Sequence, residues 1–370
     1  MPDVFLGPGA ESDAAQPLAP ALWDWSEVRR VLVVRLRSIG DTVLATPALY
    51  ALRRFLPEAQ IDVLLESWVA PVLAGSTDVD RVITVERGST AARLKAAREL
   101  RRNRYDVAYN LHGGTTATLL MRAAGARQRV GFATYQYQKL LTAAAPPSVE
   151  LWQRASTHSA EQQLALIGWT GVPVTDRPPS RLAVTETAKA SLAHKISLAA
   201  PYAVIHPAAA FDTKQWATGN FARVAEHLHE RGFCVIVIAS PKEQKIVAQL
   251  EAESRAPVTV CTALSLPEVT ALLTGAALFV GNDSGLAHIA AATATPLVVI
   301  FGSSNIAHWR PWTLAPHEIV REVLPCQPCP GYVCGEFAAP ECIRRVTVEA
   351  VRVALEKVLA MRKLPVIGDV

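Results

Sequence analysis

A chain of 370 residues and 39.9 kDa, 50% hydrophobic and 19% charged, is too long for one comfortable core and has apolar side chains enough for two. Its net charge of +4 is mild, and no nucleic-acid partner is expected. No run of eighteen apolar residues exists to cross a bilayer, because the most apolar stretch, residues 286–301, is broken by His288, Thr293, Thr295 and Pro296.

In chain order, residues 1–28 carry Pro, Gly and acids without a basic start and an apolar core, so they read as a flexible arm and not as a signal peptide. Short β-branched runs then alternate with helical patterns: "RVLVVRL" (30–36), "IDVLLE" (61–66), "RVITVE" (81–86) and "YDVAYNL" (105–111). This βαβ rhythm, with strands apolar on both faces, implies a parallel sheet covered on two sides. The turn after the first run, "RLRSIGDTVLATPAL", holds Asp41 six residues ahead of Pro47. A straight helix starting at Asp41 would place Pro47 in its interior, where the missing N–H and the ring disturb hydrogen bonding. Either Thr46 caps a helix with Pro47 at its first position and Asp41 in the loop ahead, or a kinked helix starts near Asp41.

Residues 81–139 hold twelve Lys/Arg against three Asp/Glu. Much of that excess lies in "ARLKAARELRRNR" (92–104), where basic residues at helical spacing form a solvated face or meet an anionic partner. The rhythm restarts after the Pro-rich stretch 171–184, giving runs at 202–207, 233–240, 256–261, 277–283 and 296–302. The last pattern has apolar residues at 348, 351, 355, 358 and 359 with Thr347 as cap, an amphipathic helix. The expected organisation is therefore an arm (1–28), two doubly wound α/β domains (29–180 and 181–346) facing across a cleft, and a C-terminal helix and tail (347–370). Six cysteines, with Cys234 and Cys261 inside apolar segments, fit a reducing compartment, so a cytoplasmic location is expected.

Ligands of doubly wound sheets sit beyond the carboxyl ends of strands, which directs attention to those loops. In "FVGNDSGLAHIAAA" (279–292) a strand runs into Asp283, Ser284 and Gly285, and a small-residue helix follows with His288 in its first turn. Free N–H groups there suit a phosphate, although Asp283 or Ser284 could simply cap the helix. Lys214, in "HPAAAFDTKQW" (206–216), could neutralise a diphosphate, and Glu243, after the next run, could accept hydrogen bonds from a ribose or serve as a first-turn acid. No GxxxxGK[ST] and no G-x-G-x-x-G after the first strand occur, so a nucleotide sugar fits better than an NTPase or a dinucleotide.

At this point the chain resembles the ADP-heptose:lipopolysaccharide heptosyltransferases, glycosyltransferase family 9, from about residue 29 to 360. Four ordered motifs carry the likeness: "RLRSIGDTVLATPAL", the His-Pro segment with Lys214, "GNDSGLAHIAAA" and "FGSSNIAHWRPW" (301–312). The resemblance implies a GT-B fold and an inverting, metal-independent transfer from ADP-L-glycero-D-manno-heptose to the lipopolysaccharide inner core or a lipid A-linked acceptor. It also implies Asp41 as catalytic base, Lys214 on the diphosphate, Glu243 on the ribose, and Asp283, Ser284, Gly285 and His288 as donor-binding residues. Asn110 and His112, in "NLHGGTTAT", could touch the acceptor or merely finish a strand at a turn. With an anionic acceptor, the basic region gains a purpose, including peripheral contact at the inner face of the inner membrane. Many members have Gly after the His-Pro where this chain has Ala208 to Ala210. That departure keeps two alternatives open: another nucleotide sugar as donor, and a non-catalytic homologue that only binds one.

Finally, Cys326, Cys329, Cys334 and Cys342 are spaced C-x2-C-x4-C-x7-C. Four thiols so close could hold a structural zinc, or could pack or pair reversibly, as similar clusters in the family would allow. No cofactor is expected to be required for catalysis.

Overall fold

The structure is a computed structural model that describes residues 7–12, 14–198, 201–329 and 332–362. The chain divides into two units, residues 1–183 and 184–370. The first holds β1 (Arg30–Val34), β2 (Gln60–Glu66), β3 (Arg81–Val85), β4 (Val107–Asn110), β5 (Gln128–Phe132) and β6 (Ala143–Ala145) in one parallel sheet of order β3-β2-β1-β4-β5-β6. The second holds β7 (Tyr202–His206), β8 (Cys234–Ile238), β9 (Val258–Cys261), β10 (Leu278–Asn282), β11 (Leu297–Phe301) and β12 (His317–Arg321) in the order β12-β11-β10-β7-β8-β9, also parallel.

These two orders are the same order. In each sheet the unit's first strand lies beside its fourth, so strand progression reverses between β1 and β4 and between β7 and β10. At such a reversal the loops leave in opposite directions and open a crevice for a ligand.

Alternation places the core on both faces of the first sheet. Val31 and Val33 join a cluster with the helices Thr46–Phe55 and Ser159–Gly168, while Leu32 and Val34 face Ala96, Leu100, Ala117 and Met121 on the opposite side. Each fully buried Val, Leu or Ile contributes about 1.5–3 kcal/mol, enough over a strand to set the register that positions the loops. Strands β5, β6 and β12 were absent from the expected set. β6 is three alanines and β12 is half polar, and both lie at sheet edges, where pairing on one side asks for no long apolar run.

Two expected boundaries change. The described part of the arm is not loose: Gly9 N donates to Arg177 O (2.9 Å), Leu18 N to Gly168 O (3.0 Å) and Trp25 Nε1 to Thr170 O (3.0 Å). Leu18, Trp23 and Trp25 pack on the first unit's core, so their apolar area and backbone bonds bind residues 14–28 as a strap. Residues 1–6 and Asp13 lie outside the described set. The helix Val348–Arg362 is no separate element, because Val351, Leu355 and Val358 complete the second unit's core against Val298, Ile300 and Leu228. Thr347 Oγ1 accepts from Ala350 N (3.1 Å) and caps it, while the expected tail from residue 363 onward is outside the described residues.

Candidate active site

After β1 the backbone continues one residue further in the ladder, with Arg35 N bonded to Leu64 O (3.1 Å), and then turns into the five-residue helix Ile39–Val43 capped by Ser38. Asp41 sits at its third position. Its carboxylate accepts from Ser38 N (3.1 Å) and Ser38 Oγ (2.9 Å), a reciprocal arrangement at a helix start. It also pairs with Arg35 Nη2, and Arg35 Nη1 donates to Leu111 O at the end of β4. The chain bends at Leu44 and Ala45, and a new helix, Thr46–Phe55, starts with Pro47 in its first turn, where no N–H is needed. Neither expectation for this segment holds in full. Asp41 belongs to a short helix of its own, Thr46 is the first residue of the next helix instead of its cap, and the side chain of Asp41 keeps 20% exposure.

Across the reversal, Asn110 is wholly buried, so the expectation that it touches an acceptor is corrected. Its Oδ1 accepts from His112 N (3.1 Å) and Gly113 N (2.9 Å), and its Nδ2 donates to Thr118 Oγ1 (2.9 Å). It holds the turn that presents His112. Burial, then the charges of Arg35 and Arg37, push the His112 imidazole below its usual range, so it is neutral at pH 7.

The second unit gathers its residues from four strand ends. Lys214, in the turn Asp212–Lys214 after β7, reaches Asp283 Oδ2 (2.7 Å) after β10, and Ser304 Oγ after β11 donates to the same oxygen. Ser303 Oγ donates to Thr213 Oγ1 (2.9 Å), locking the two loops together. Their approach is so close that a Cβ at Gly302 would lie 2.2 Å from Thr213 O, which is why only glycine fits there. Trp216 is fully buried, with its N bonded to Asn282 Oδ1 (3.1 Å) and its Nε1 to Val346 O (2.8 Å), and so anchors the Lys214 loop to β10.

Beside this network, His206 Nδ1 lies 3.3 Å from Ser284 Oγ and His206 Nε2 lies 3.9 Å from Glu243 Oε2. The second separation is an ion-pair distance, too long for a direct hydrogen bond. The adjacent His206 and the Ser240 N–H at 2.7 Å hold the Glu243 carboxyl down at about 2, against burial that raises it. Glu243 thus starts its helix as well as facing His206. Ser284 occupies the N-cap position of the helix Gly285–Ala292 without a side-chain cap bond, and the first turn of that helix carries the buried His288. Ala208 is fully buried and Ala209 N is bonded to Gln215 Oε1 (2.8 Å), so the methyl at 208 is turned away from any ligand surface.

Sequence reading missed Arg35, Ser38, His206 and Ser304. All four lie inside or at the edge of quoted motifs, but their roles depend on partners that spacing does not reveal.

The four late cysteines fall in the segment after β12. All are free thiols, Cys342 is buried, and among the described residues no group of three or more His, Cys, Asp or Glu is placed to hold a metal. Their segment braces the site: Gln327 Nε2 donates to Gly302 O (2.6 Å), Cys329 N to Ser303 O (2.9 Å), and Tyr332 stacks on Phe211 at 4.2 Å.

Two doubly wound parallel sheets, one presenting a carboxylate at its reversal and the other a lysine held by an acid, define the class as a glycosyltransferase of GT-B fold. The sequence model of "Glycosyltransferase family 9 (heptosyltransferase)" matches residues 93–337, more than half of the chain. The chain belongs to that family. It is 29% identical to lipopolysaccharide heptosyltransferase 3 of Escherichia coli over 75% of its own length and 85% of that protein's. It is also 29% identical to lipopolysaccharide heptosyltransferase 2 of E. coli K12, over 75% and 83%. The solved E. coli ADP-heptose lps heptosyltransferase II superposes with a TM-score of 0.76 at 25% identity, covering 90% of this chain and all of that one. Among the described residues no helix is long and apolar enough to cross a membrane.

Proposed function

We propose that this glycosyltransferase moves a heptose from ADP-L-glycero-D-manno-heptose to the inner core of lipopolysaccharide, with inversion at the anomeric carbon. The observation that carries the reading is the Lys214–Asp283–Ser304 network at the second reversal, a fixed cation at the mouth of a helix start suited to a diphosphate. The relatives' names supply the sugar and the acceptor.

In the step, the acceptor hydroxyl gives its proton to Asp41 while its oxygen bonds to the anomeric carbon. The bond from that carbon to the diphosphate breaks, and its electron pair leaves with ADP. Lys214 offsets the charge that develops there, Asp283 and Ser304 hold Lys214, and Ser284, Gly285 and His288 line the phosphate end. Glu243 accepts from the ribose. ADP is already a good leaving group, so one base and one cation suffice, without the second carboxyl that a poor alkoxide leaving group demands. We assign no metal or other cofactor to the step. The acceptor is membrane-borne, and the enzyme works peripherally at the cytoplasmic face of the inner membrane.

Transfer of another nucleotide sugar was motivated by the alanines after His206-Pro207, and the burial of Ala208 removes most of that motive. The test is a donor panel with deep-rough lipopolysaccharide as acceptor. ADP-heptose should release ADP and add one heptose by mass. Turnover with a different sugar nucleotide and none with ADP-heptose defeats the donor assignment, and no turnover with any donor supports the non-catalytic alternative.

A further inference from the structure

β7 runs Tyr-Ala-Val-Ile and ends on His206, only 4% exposed, at the strand where the order of the second sheet reverses. A buried imidazole costs stability unless its nitrogens find partners, and an apolar residue would close the strand more cheaply. The backbone around the ring is fixed. Asn282 Nδ2 donates to Pro207 O (2.9 Å), Gln215 Nε2 donates to the same oxygen, and a Cβ at Gly281, the register partner of His206 on β10, would lie 3.0 Å from His206 O. The ring is therefore aimed, and its two nitrogens face the loops of the two strands that flank β7.

On the β10 side, His206 Nδ1 meets Ser284 Oγ at 3.3 Å. Ser284 stands at the N-cap of the helix Gly285–Ala292, yet its hydroxyl makes no cap bond. A serine there ordinarily folds back onto the N–H groups of the first turn, which have no partner inside the helix. Here His206 engages the hydroxyl instead, and the helix start stays open to an anion. On the β8 side, His206 Nε2 faces Glu243 Oε2 at 3.9 Å, and the same oxygen accepts from Ser240 N (2.7 Å). One carboxylate oxygen is committed to the ring and the loop, which leaves Oε1 for a hydroxyl donor.

We propose that His206 is a positioning residue that sets both ends of the donor site at once: it keeps the Ser284 hydroxyl off the helix start, so that the diphosphate takes the N–H groups, and it turns Glu243 so that Oε1 meets the ribose. This rests on the reading of the second unit as the donor side. In this role His206 acts through Ser284 and Glu243 and not on the reacting atoms.

Three substitutions separate the two ends. The amide of His206→Asn reaches the place of Nδ1, that of His206→Gln reaches the place of Nε2, and His206→Phe keeps a ring without either nitrogen. Calorimetry without acceptor measures the binding of AMP, ADP, 2′-deoxy-ADP and 3′-deoxy-ADP, the weaker deoxy compound marking the hydroxyl that Glu243 takes. In wild type, ADP should bind about 10–100-fold more tightly than that compound, the worth of a charge-assisted hydrogen bond. The ratio should persist in His206→Gln and fall to about 2–3-fold in His206→Asn and His206→Phe. The advantage of ADP over AMP should drop about 3–10-fold in His206→Gln and His206→Phe, where Ser284 turns back to cap its helix, and persist in His206→Asn. With Ser284→Ala added, His206→Phe should no longer change that advantage. Without ligand, the Glu243 carboxyl carbon, followed by NMR as pH is lowered, should titrate nearer its ordinary 4.5 in His206→Asn and His206→Phe than in wild type.

Equal weakening of every nucleotide in all three variants, with both ratios kept and a lower melting temperature, would make His206 a core residue only and overturn the proposal. So would an effect of His206→Phe on the ADP-over-AMP ratio that survives in Ser284→Ala. If wild type binds no ADP or ignores both ribose hydroxyls, the donor reading fails and the proposal with it, whereas ratios present in wild type and unchanged across the His206 series sink the proposal alone. Should His206→Phe not fold, the opposite patterns expected of His206→Asn and His206→Gln still decide it.

Discussion

The two strand-order reversals solve the same problem by different means. At the first, Asp41 is held by neighbours in sequence, Arg35 and Ser38, and Arg35 is in turn anchored to Leu111 O, 76 positions away. At the second, Lys214 is held by Asp283, 69 positions away, and Asp283 by Ser304, 21 further on. The direct partners of the base are local, with one distant anchor on the neighbouring strand. A cation whose orientation depends on three separate loops responds to changes in any of them. The cysteine segment, bonded to Gly302 and Ser303, belongs to that second arrangement.

This contrast can be broken by substitution. The largest effect is expected from Asp41→Asn, which keeps shape and most hydrogen bonds but cannot take a proton: kcat should fall by about 10²–10⁴-fold with ADP binding by calorimetry unchanged. Full activity in this variant would make Asp41 a helix-start residue only. Next, Asp283→Ala removes a nearly buried partner and strands Lys214. The cost should be about 2–3 kcal/mol in thermal unfolding, below the ~3–5 of a fully buried pair because Lys214 is partly solvated, with weaker donor binding as well. Ser304→Ala should be milder, about 1 kcal/mol or about fivefold in donor KM with little change in melting temperature. An unchanged donor KM would mean that Lys214 needs no brace from the β11 loop.

A further effect concerns pH. Glu243 titrates near 2 in the fold against an ordinary value of 4.5, so the unfolded chain binds its proton first as pH falls. Its contribution to stability is present above about 4.5 and disappears as pH drops toward about 2. Glu243→Gln should therefore flatten the stability–pH curve in that window, as followed by urea titrations, while leaving the neutral-pH midpoint lower by only the lost interaction with His206 and the weaker cap. A curve parallel to wild type would mean that His206 and Ser240 do not hold that carboxylate.

Much of the fold was legible because parallel strands buried on both faces must be almost wholly apolar. β1, β7, β10 and β11 announce themselves in this way. The alanine strand β6 and the half-polar β12 did not, since an edge strand borrows its stability from a neighbour. In the site, Asp41, Lys214 and Asp283 were visible as acids and a cation at strand ends. Asn110 looked equally exposed in the sequence, and only its burial shows that it serves the backbone. The arm misled for the same reason: its composition is loop-like, yet Leu18, Trp23 and Trp25 find the first unit's core.

What the sequence determined alone is the alternation of strands and helices, the two-unit plan and the chemistry on offer at each strand end, because these follow from local hydrophobic period and residue type. What only the tertiary structure decided is which strand ends become neighbours. Strand order is set by packing between segments far apart in the chain, and it brings Asp283 to Lys214 and Leu111 to Arg35.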